Sequence, residues 1–258
     1  MSWWSRLGRK PEDRSPSAHG HGPRPLWDFH CHLLPAVDDG LRSLAETQVA
    51  IAGMRAAGYR GAVMTPHIYR GVYDNRPGGL REEFAALQAS IGTEFPLYLA
   101  AEYFADERLL EDIAQDDVLF FTVGAHRVVL VEFSAMMPPP MGMDVLAQLR
   151  RNHYQPVLAH MERYRYVQSH DQVWLERFAH LGVWLQCDIG SLVGQYGPKP
   201  QHLAQKLLSR DLPTLWGTDL HRVEQLQRYI VPGLAVLAKH GIQINAVLDS
   251  LSSNSASQ

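Results

Sequence analysis

The sequence predicts an α/β fold with helices packed outside a parallel sheet. Short apolar and β-branched runs alternate with longer helical patterns from Leu26 onward, the order of repeated βα units. Histidines and carboxylates suited to metal binding recur where those short runs end, and in a βα barrel the loops converge at the carboxyl ends of the strands. No Gly-x-Gly-x-x-Gly or Walker-type loop follows any run, which weakens the case for a nucleotide-binding sheet. An open doubly wound sheet and a closed barrel both satisfy this pattern.

The first strand is expected at 26–30, where Leu26, Trp27 and Phe29 precede His30-Cys31-His32. Side chains two apart on a strand share a face, so both imidazoles aim at one point and Cys31 points away. Further strands are expected at 61–65, 97–102, 127–133, 156–160, 183–188 and 213–219. Helical patterns cover 43–57, 80–91, 106–114, 143–152, 171–181, 199–209 and 222–240, and the stretch 116–122 is expected to add a small strand. Residues 26–245 read as one unit between two tails, a basic one at 1–25 rich in Pro, Gly and Ser and a small, polar one at 246–258. Both tails have the composition of disordered segments. Trp3 and Trp4 beside Arg6, Arg9 and Lys10 allow a weak peripheral membrane contact, although a plain tail explains them as well. His19 and His21 sit among Gly and Pro with no strand to aim them, and read as solvated.

Composition narrows the function. The 258 residues are 46% hydrophobic with a formal net charge of -3, so no general attraction to nucleic acid or anionic membrane is expected. Cys31 and Cys187 are the only cysteines, which gives no disulfide framework and fits a reducing, cytoplasmic compartment. No apolar run reaches the roughly 18 residues of a spanning helix, and no signal-peptide core precedes the first strand.

Six strand ends carry the candidate chemistry. His30 and His32 end the first, with Asp38-Asp39-Gly40 in the loop beyond. His67 follows the second, Glu102 ends the third, Glu132 the fourth, His160 the fifth, and Asp219 with His221 the seventh. Glu132 lies within Val129-Leu130-Val131-Glu132-Phe133, where a lone buried carboxylate is costly, so a metal or cation partner is expected. Glu102 reads as a ligand or as a solvated strand end. Asp38 reads as the Asx-turn residue before Gly40, leaving Asp39 as the ligand. An imidazole and carboxylate set without thiolate suits Mn, Fe, Zn or Mg. Cys187, ending the sixth strand, has no partner that marks a nucleophile. Arg70, Arg163, Arg165 and Arg222 lie in the same loops, and arginines beside a multi-metal centre suit an oxyanion such as phosphate.

With these residues in view, Asp28-Phe29-His30-Cys31-His32-Leu33-Leu34-Pro35-Ala36-Val37-Asp38-Asp39-Gly40 closely resembles the opening motif of the PHP-type (polymerase and histidinol phosphatase) protein tyrosine phosphatases of bacterial capsule and exopolysaccharide systems. Thr65-Pro66-His67, Ala101-Glu102, Leu130-Val131-Glu132-Phe133, Ala159-His160-Met161-Glu162-Arg163-Tyr164, Gly190-Ser191-Leu192-Val193-Gly194 and Thr218-Asp219-Leu220-His221 extend the resemblance over nearly the whole globular part. Met161 stands where a proline is usual, Ile68 where a second histidine is common, Arg222 where an asparagine is frequent, and Leu226 where a downstream arginine is expected.

The resemblance implies a distorted seven-stranded (β/α) barrel holding three divalent ions, usually Mn, with Fe, Zn, Co or Mg as other fits. Carried over by position, His30, His32, Glu102 and Asp219 would hold one ion. Glu102 would bridge to a second with Glu132 and His160, and Asp39, His67 and His221 would hold the third. Arg163 would grip the phosphate, with Arg222 or Arg228 as its helper. The implied activity is hydrolysis of phosphotyrosine on the tail of a bacterial tyrosine kinase that controls polysaccharide synthesis, by in-line attack of a metal-bridged hydroxide. A phosphoesterase for a small metabolite such as histidinol phosphate, and a metal-stabilised scaffold without chemistry, are the other readings. Tyr69, Tyr73 and Arg76 would form the rim of an open site.

Overall fold

The computed structural model describes residues 26–210, 212 and 215–240; the expectations for the two tails fall outside them. The chain runs β1 (Leu26–Cys31), α1 (Leu44–Ala56), β2 (Tyr59–Met64), β3 (His67–Ile68), α2 (Pro77–Ser90), β4 (Leu97–Leu99), β5 (Glu102–Phe104), α3 (Glu107–Ala114), β6 (Phe121–Val123) and β7 (His126–Glu132). It continues through α4 (Gly142–Arg151), β8 (Tyr154–Leu158), α5 (Arg165–Ser169), α6 (Asp171–His180), β9 (Trp184–Asp188), α7 (Pro198–Ser209), β10 (Leu215–Gly217) and α8 (Val231–Lys239).

Two expected strands are each broken in the middle. Thr65-Pro66 separates β2 from β3, and Ala100-Ala101 separates β4 from β5. Proline has no N–H for a ladder, so the first break is built into the sequence. One parallel sheet runs β1-β2-β4 and the other β3-β5-β7-β8-β9-β10. Asp219 N donates to His30 O at 2.8 Å and His32 N to Leu220 O at 3.0 Å, joining β10 to β1. Counting each broken strand once, seven parallel staves close the ring, and β6 adds an antiparallel edge on β7.

Alternation along the strands divides the interior. Phe29, Val63, Val128, Leu130, Val157 and Leu215 form an inner apolar cluster with Phe121 and Val123 of β6. Met64, Val129, Val131, Leu158 and Leu185 face the larger cluster beneath the helices, with Leu149, Phe178 and Leu207. Glu132 shares its strand face with Leu130, so it projects inward above the apolar plug.

Local signals set the helices. Ser43 caps α1 by accepting from Glu46 N, and Asp106 caps α3 by accepting from Arg108 N and Leu109 N. Pro77 and Pro198 open α2 and α7, where a missing N–H costs nothing. The expected helix 222–240 is instead a π turn (Leu226–Ile230) followed by α8. Pro232 at the start of α8 removes a backbone donor, which disrupts regular pairing at the junction. The short α5 has no apolar period long enough to read from sequence. No helix of the described residues is long and apolar enough to cross a membrane.

Candidate metal centre

The site lies where β1, β3, β5, β7 and the loops after β8 and β10 meet. His30 Nε2 lies 3.1 Å from Glu102 Oε2 and 3.3 Å from Asp219 Oδ1. His32 Nε2 lies 3.3 Å and 3.4 Å from the same two oxygens. Four donors, all buried, thus converge on one point. A second group pairs His67 Nδ1 with Glu132 Oε1 at 3.1 Å and Glu102 Oε2 at 3.3 Å. The third places Asp39 Oδ1 at 3.5 Å from His67 Nε2 and 3.3 Å from His221 Nε2, with His32 alongside. All nine candidate ligands are therefore brought to one cluster.

The grouping differs from the expected one at His67 and His160, and His32 also joins the third group. His67 and Glu102 are register partners across β3 and β5, so the imidazole of His67 falls between the two glutamates as well as beside Asp39. His160 Nε2 instead meets the other oxygen of Glu102, Oε1, at 2.8 Å and lies 3.9 Å from Glu132 Oε2. Glu102 is wholly buried rather than a solvated strand end.

The donor atoms fit divalent cations. Glu102 Oε2 and His67 Nδ1 are buried with no hydrogen-bond partner, a costly state for polar atoms unless a cation meets them. Nitrogen and carboxylate oxygen without thiolate suit Mn, Fe or Zn. The charge balance points the same way. Burial pulls the pKa of His30 down, but the charges of Glu102 and Asp219 outweigh it and raise it to about 10. His32 is raised likewise against burial, by Asp38 first. Burial pushes Glu102 and Asp219 up, yet the surrounding histidines hold both well below the carboxylate range. Such a cluster binds protons on its imidazoles when no cation competes.

A supporting layer aims these groups. Asp38 is both the Asx-turn residue and a partner of His32: Oδ1 accepts from Gly40 N at 2.8 Å, while Oδ2 lies 2.7 Å from His32 Nδ1 and accepts from His67 N at 3.0 Å. His221 Nδ1 lies 3.0 Å from Asp219 O. Asp28, pushed up to about 6 by burial, accepts from Thr218 Oγ1 at 2.5 Å and ties β1 to the end of β10. His160 and Asp219 both have positive φ, 29° and 50°, an uncommon state for residues other than glycine that clusters at functional sites.

The arginines are partly committed. Arg163 Nη1 donates to Asp219 Oδ2 at 2.6 Å and Asp188 Oδ2 at 3.3 Å, and the guanidinium lies 4.2 Å above the ring of Tyr196. Arg222 Nη1 donates to the carbonyls of Asp39, Gly40 and His221, clamping the loop that carries Asp39. Arg228 is exposed over Tyr229, and Leu226 is buried. Tyr73 stacks on His67 at 5.0 Å and Tyr69 on Phe104 at 3.9 Å, whereas Arg76 is the exposed residue before α2. Cys31 and Cys187 are buried, and burial pushes both thiols up, so neither supplies a thiolate.

Sequence reading missed Gln186, Asp188, Glu162 and Tyr196. Tyr196 donates to Asp219 Oδ2 at 3.0 Å, and Glu162 Oε1 accepts from Ser191 Oγ at 2.6 Å and Asp188 N at 3.0 Å. The buried alternation of β9, Leu185-Gln186-Cys187-Asp188, held a signal: a wholly buried strand seldom carries an amide and a carboxylate without partners.

Known proteins share the family and the fold. A family model for capsular polysaccharide synthesis, CpsB/CapC, matches residues 26–252. The tyrosine-protein phosphatase YwqE of Bacillus subtilis (strain 168) is 30% identical over 216 residues, 82% of this chain and 84% of its own. A chain from the crystal structures of YwqE from Bacillus subtilis and CpsB from Streptococcus pneumoniae, described as unique metal-dependent tyrosine phosphatases, superposes with a TM-score of 0.72 at 27% identity, covering 83% of this chain and 87% of that one. Histidinol phosphate phosphatase from Lactococcus lactis, matched at a TM-score of 0.54 and 14% identity over 84% of this chain and 94% of its own, shares the fold. The architecture is the PHP-type barrel, and with the family match running from β1 past α8, the chain belongs to the CpsB/CapC family of capsular polysaccharide synthesis.

Proposed function

We propose that the chain is a metal-dependent phosphotyrosine-protein phosphatase that acts on the tail of a bacterial tyrosine kinase controlling capsule or exopolysaccharide synthesis. The observation that carries this reading is the gathering of nine candidate ligands in one cluster, two of its three donor groups sharing Glu102, whose Oε2 has no hydrogen-bond partner, with Arg163 at the edge. Three divalent ions, Mn first and Fe, Zn, Co or Mg as other fits, would be held by His30, His32, Glu102 and Asp219, by His67, Glu102 and Glu132 with His160 beside them, and by His32, Asp39, His67 and His221. Bound there, such ions supply Lewis acidity, lowering the pKa of water toward neutrality and withdrawing charge from a phosphoryl group.

The remaining work falls to the chain itself. Arg163 is anchored through Nη1 by two carboxylates, and among the described residues its other N–H groups are left for a phosphate oxygen. Asp188, Asp219 and Tyr196 hold that guanidinium in place, so little rotamer freedom is lost when an oxyanion arrives. Arg222 keeps the Asp39 loop closed against β10. The flat rings of Tyr73 and Tyr69 at the mouth suit an aromatic ester, and the burial of both cysteines, which pushes their thiols up, argues against a thiol nucleophile.

The test compares purified, Mn-loaded protein on a phosphotyrosyl peptide and on histidinol phosphate. The peptide is expected to give the higher kcat/KM; equal or reversed preference overturns the assigned substrate class.

A further inference from the structure

Gln186 is wholly buried in β9, and each of its amide atoms has a partner. Oε1 accepts from the backbone N–H of His160 at 2.8 Å and lies 3.0 Å from His30 Nδ1. Nε2 donates to Asp188 Oδ1 at 2.8 Å. A backbone N–H can only donate, so the oxygen end of the amide must face His160 and His30. His30 Nδ1 must then carry the proton of that contact, which leaves Nε2, facing Glu102, Asp219 and His32, as the atom whose lone pair a cation would take in place of a proton. The fold makes room for this one group: a Cβ on Gly217 would lie 2.7 Å from Gln186 Nε2 and 2.7 Å from His30 Cβ.

We propose that Gln186 is a positioning residue that fixes the tautomer and ring orientation of His30 and, through the N–H of His160, the left-handed backbone from which His160 projects. This rests on the reading of the cluster as a divalent-cation centre. One amide thereby orients two candidate ligands from different strands, the kind of support that sets a metal-binding imidazole. Asp188 completes it by holding the amide so that it cannot turn.

The first measurement uses the unmodified protein loaded with zinc: long-range 1H–15N correlation of the histidine rings. His30 is expected with its proton on Nδ1; a proton on Nε2 overturns the proposal. The second compares Mn affinity, by chelator competition, in wild type, Gln186→Leu and Gln186→Glu. Leucine removes the acceptor, and its affinity is expected to fall by roughly 10- to 100-fold. Glutamate keeps an acceptor toward both His30 and His160 and, sharing a proton with Asp188 Oδ1 where the amide donated, is expected to recover part of the loss. Unchanged affinity in the leucine variant, or equal loss in both, contradicts the role; a variant that fails to fold leaves the tautomer measurement to decide. Failure of wild type to bind Mn at all would instead sink the proposed function.

Discussion

Asp38 shows how one side chain serves both the turn and the site. Its Oδ1 closes the turn at Gly40, and its Oδ2 meets the ring of His32 and the backbone of His67. Asp38→Asn keeps the first bond, because the amide oxygen still accepts, but places a donor or a neutral acceptor where a charge faced His32. The expected cost in metal-free protein is about 1.5–3 kcal/mol, read from urea unfolding. Burial raises the Asp38 carboxyl, yet His32 and the backbone donors outweigh it and hold it below its ordinary 3.8. A carboxyl lowered on folding contributes its stability in full above the unfolded value and loses it as pH falls. The gap between wild type and variant is therefore expected to close as the pH drops below 3.8. A gap that widens on acidification would contradict this. The Asp38-Asp39 pair was legible because both are local to the His-x-His motif. Gln186 was not, because its partners come from β1 and the loop after β8, and nothing in a linear reading brings those to one amide.

The strands illustrate how local grammar and closure share the work. The positions of β1, β7, β8 and β9 follow from apolar runs that the sequence displays openly. The breaks at Thr65-Pro66 and Ala100-Ala101 are less visible: only the proline announces itself, while Ala100-Ala101 lies directly across from it, between the Met64–Leu99 and His67–Glu102 pairs. Those breaks set His67 and Glu102 as the first residues of β3 and β5, in register with each other. The regrouping of His67 with both glutamates follows from that register, which motif spacing does not contain. At β10 the constraint is steric. Gly217→Ala would press on the Gln186 amide and on His30 at once, and an expected loss of about 1–3 kcal/mol follows from overpacking a filled interior. Thermal unfolding of the metal-free variant checks it; an unchanged midpoint would mean that Gln186 yields freely.

At the scale of the whole molecule, a closed ring of parallel staves plugged by Phe29, Phe121 and Leu130 below leaves a polar cup above. Carboxylates and imidazoles from six stave ends fill that cup, and Glu102 touches two of its three donor groups. Sequence pattern alone left the sheet open or closed. The β1 to β10 hydrogen bonds decide for closure, and closure is what brings Asp219 and His221 against His30 and His32. Phosphomonoester hydrolysis by this cup with bound cations, and not by either buried thiol, is the proposed chemistry. It is tested most directly by stripping the protein of metal with a chelator, removing the chelator, and assaying phosphotyrosyl peptide hydrolysis before and after Mn is returned, in wild type and in Cys187→Ser. Activity is expected to vanish on stripping, to return with Mn, and to be the same in both proteins. Full activity in the stripped protein, or loss of activity confined to the serine variant, would contradict it.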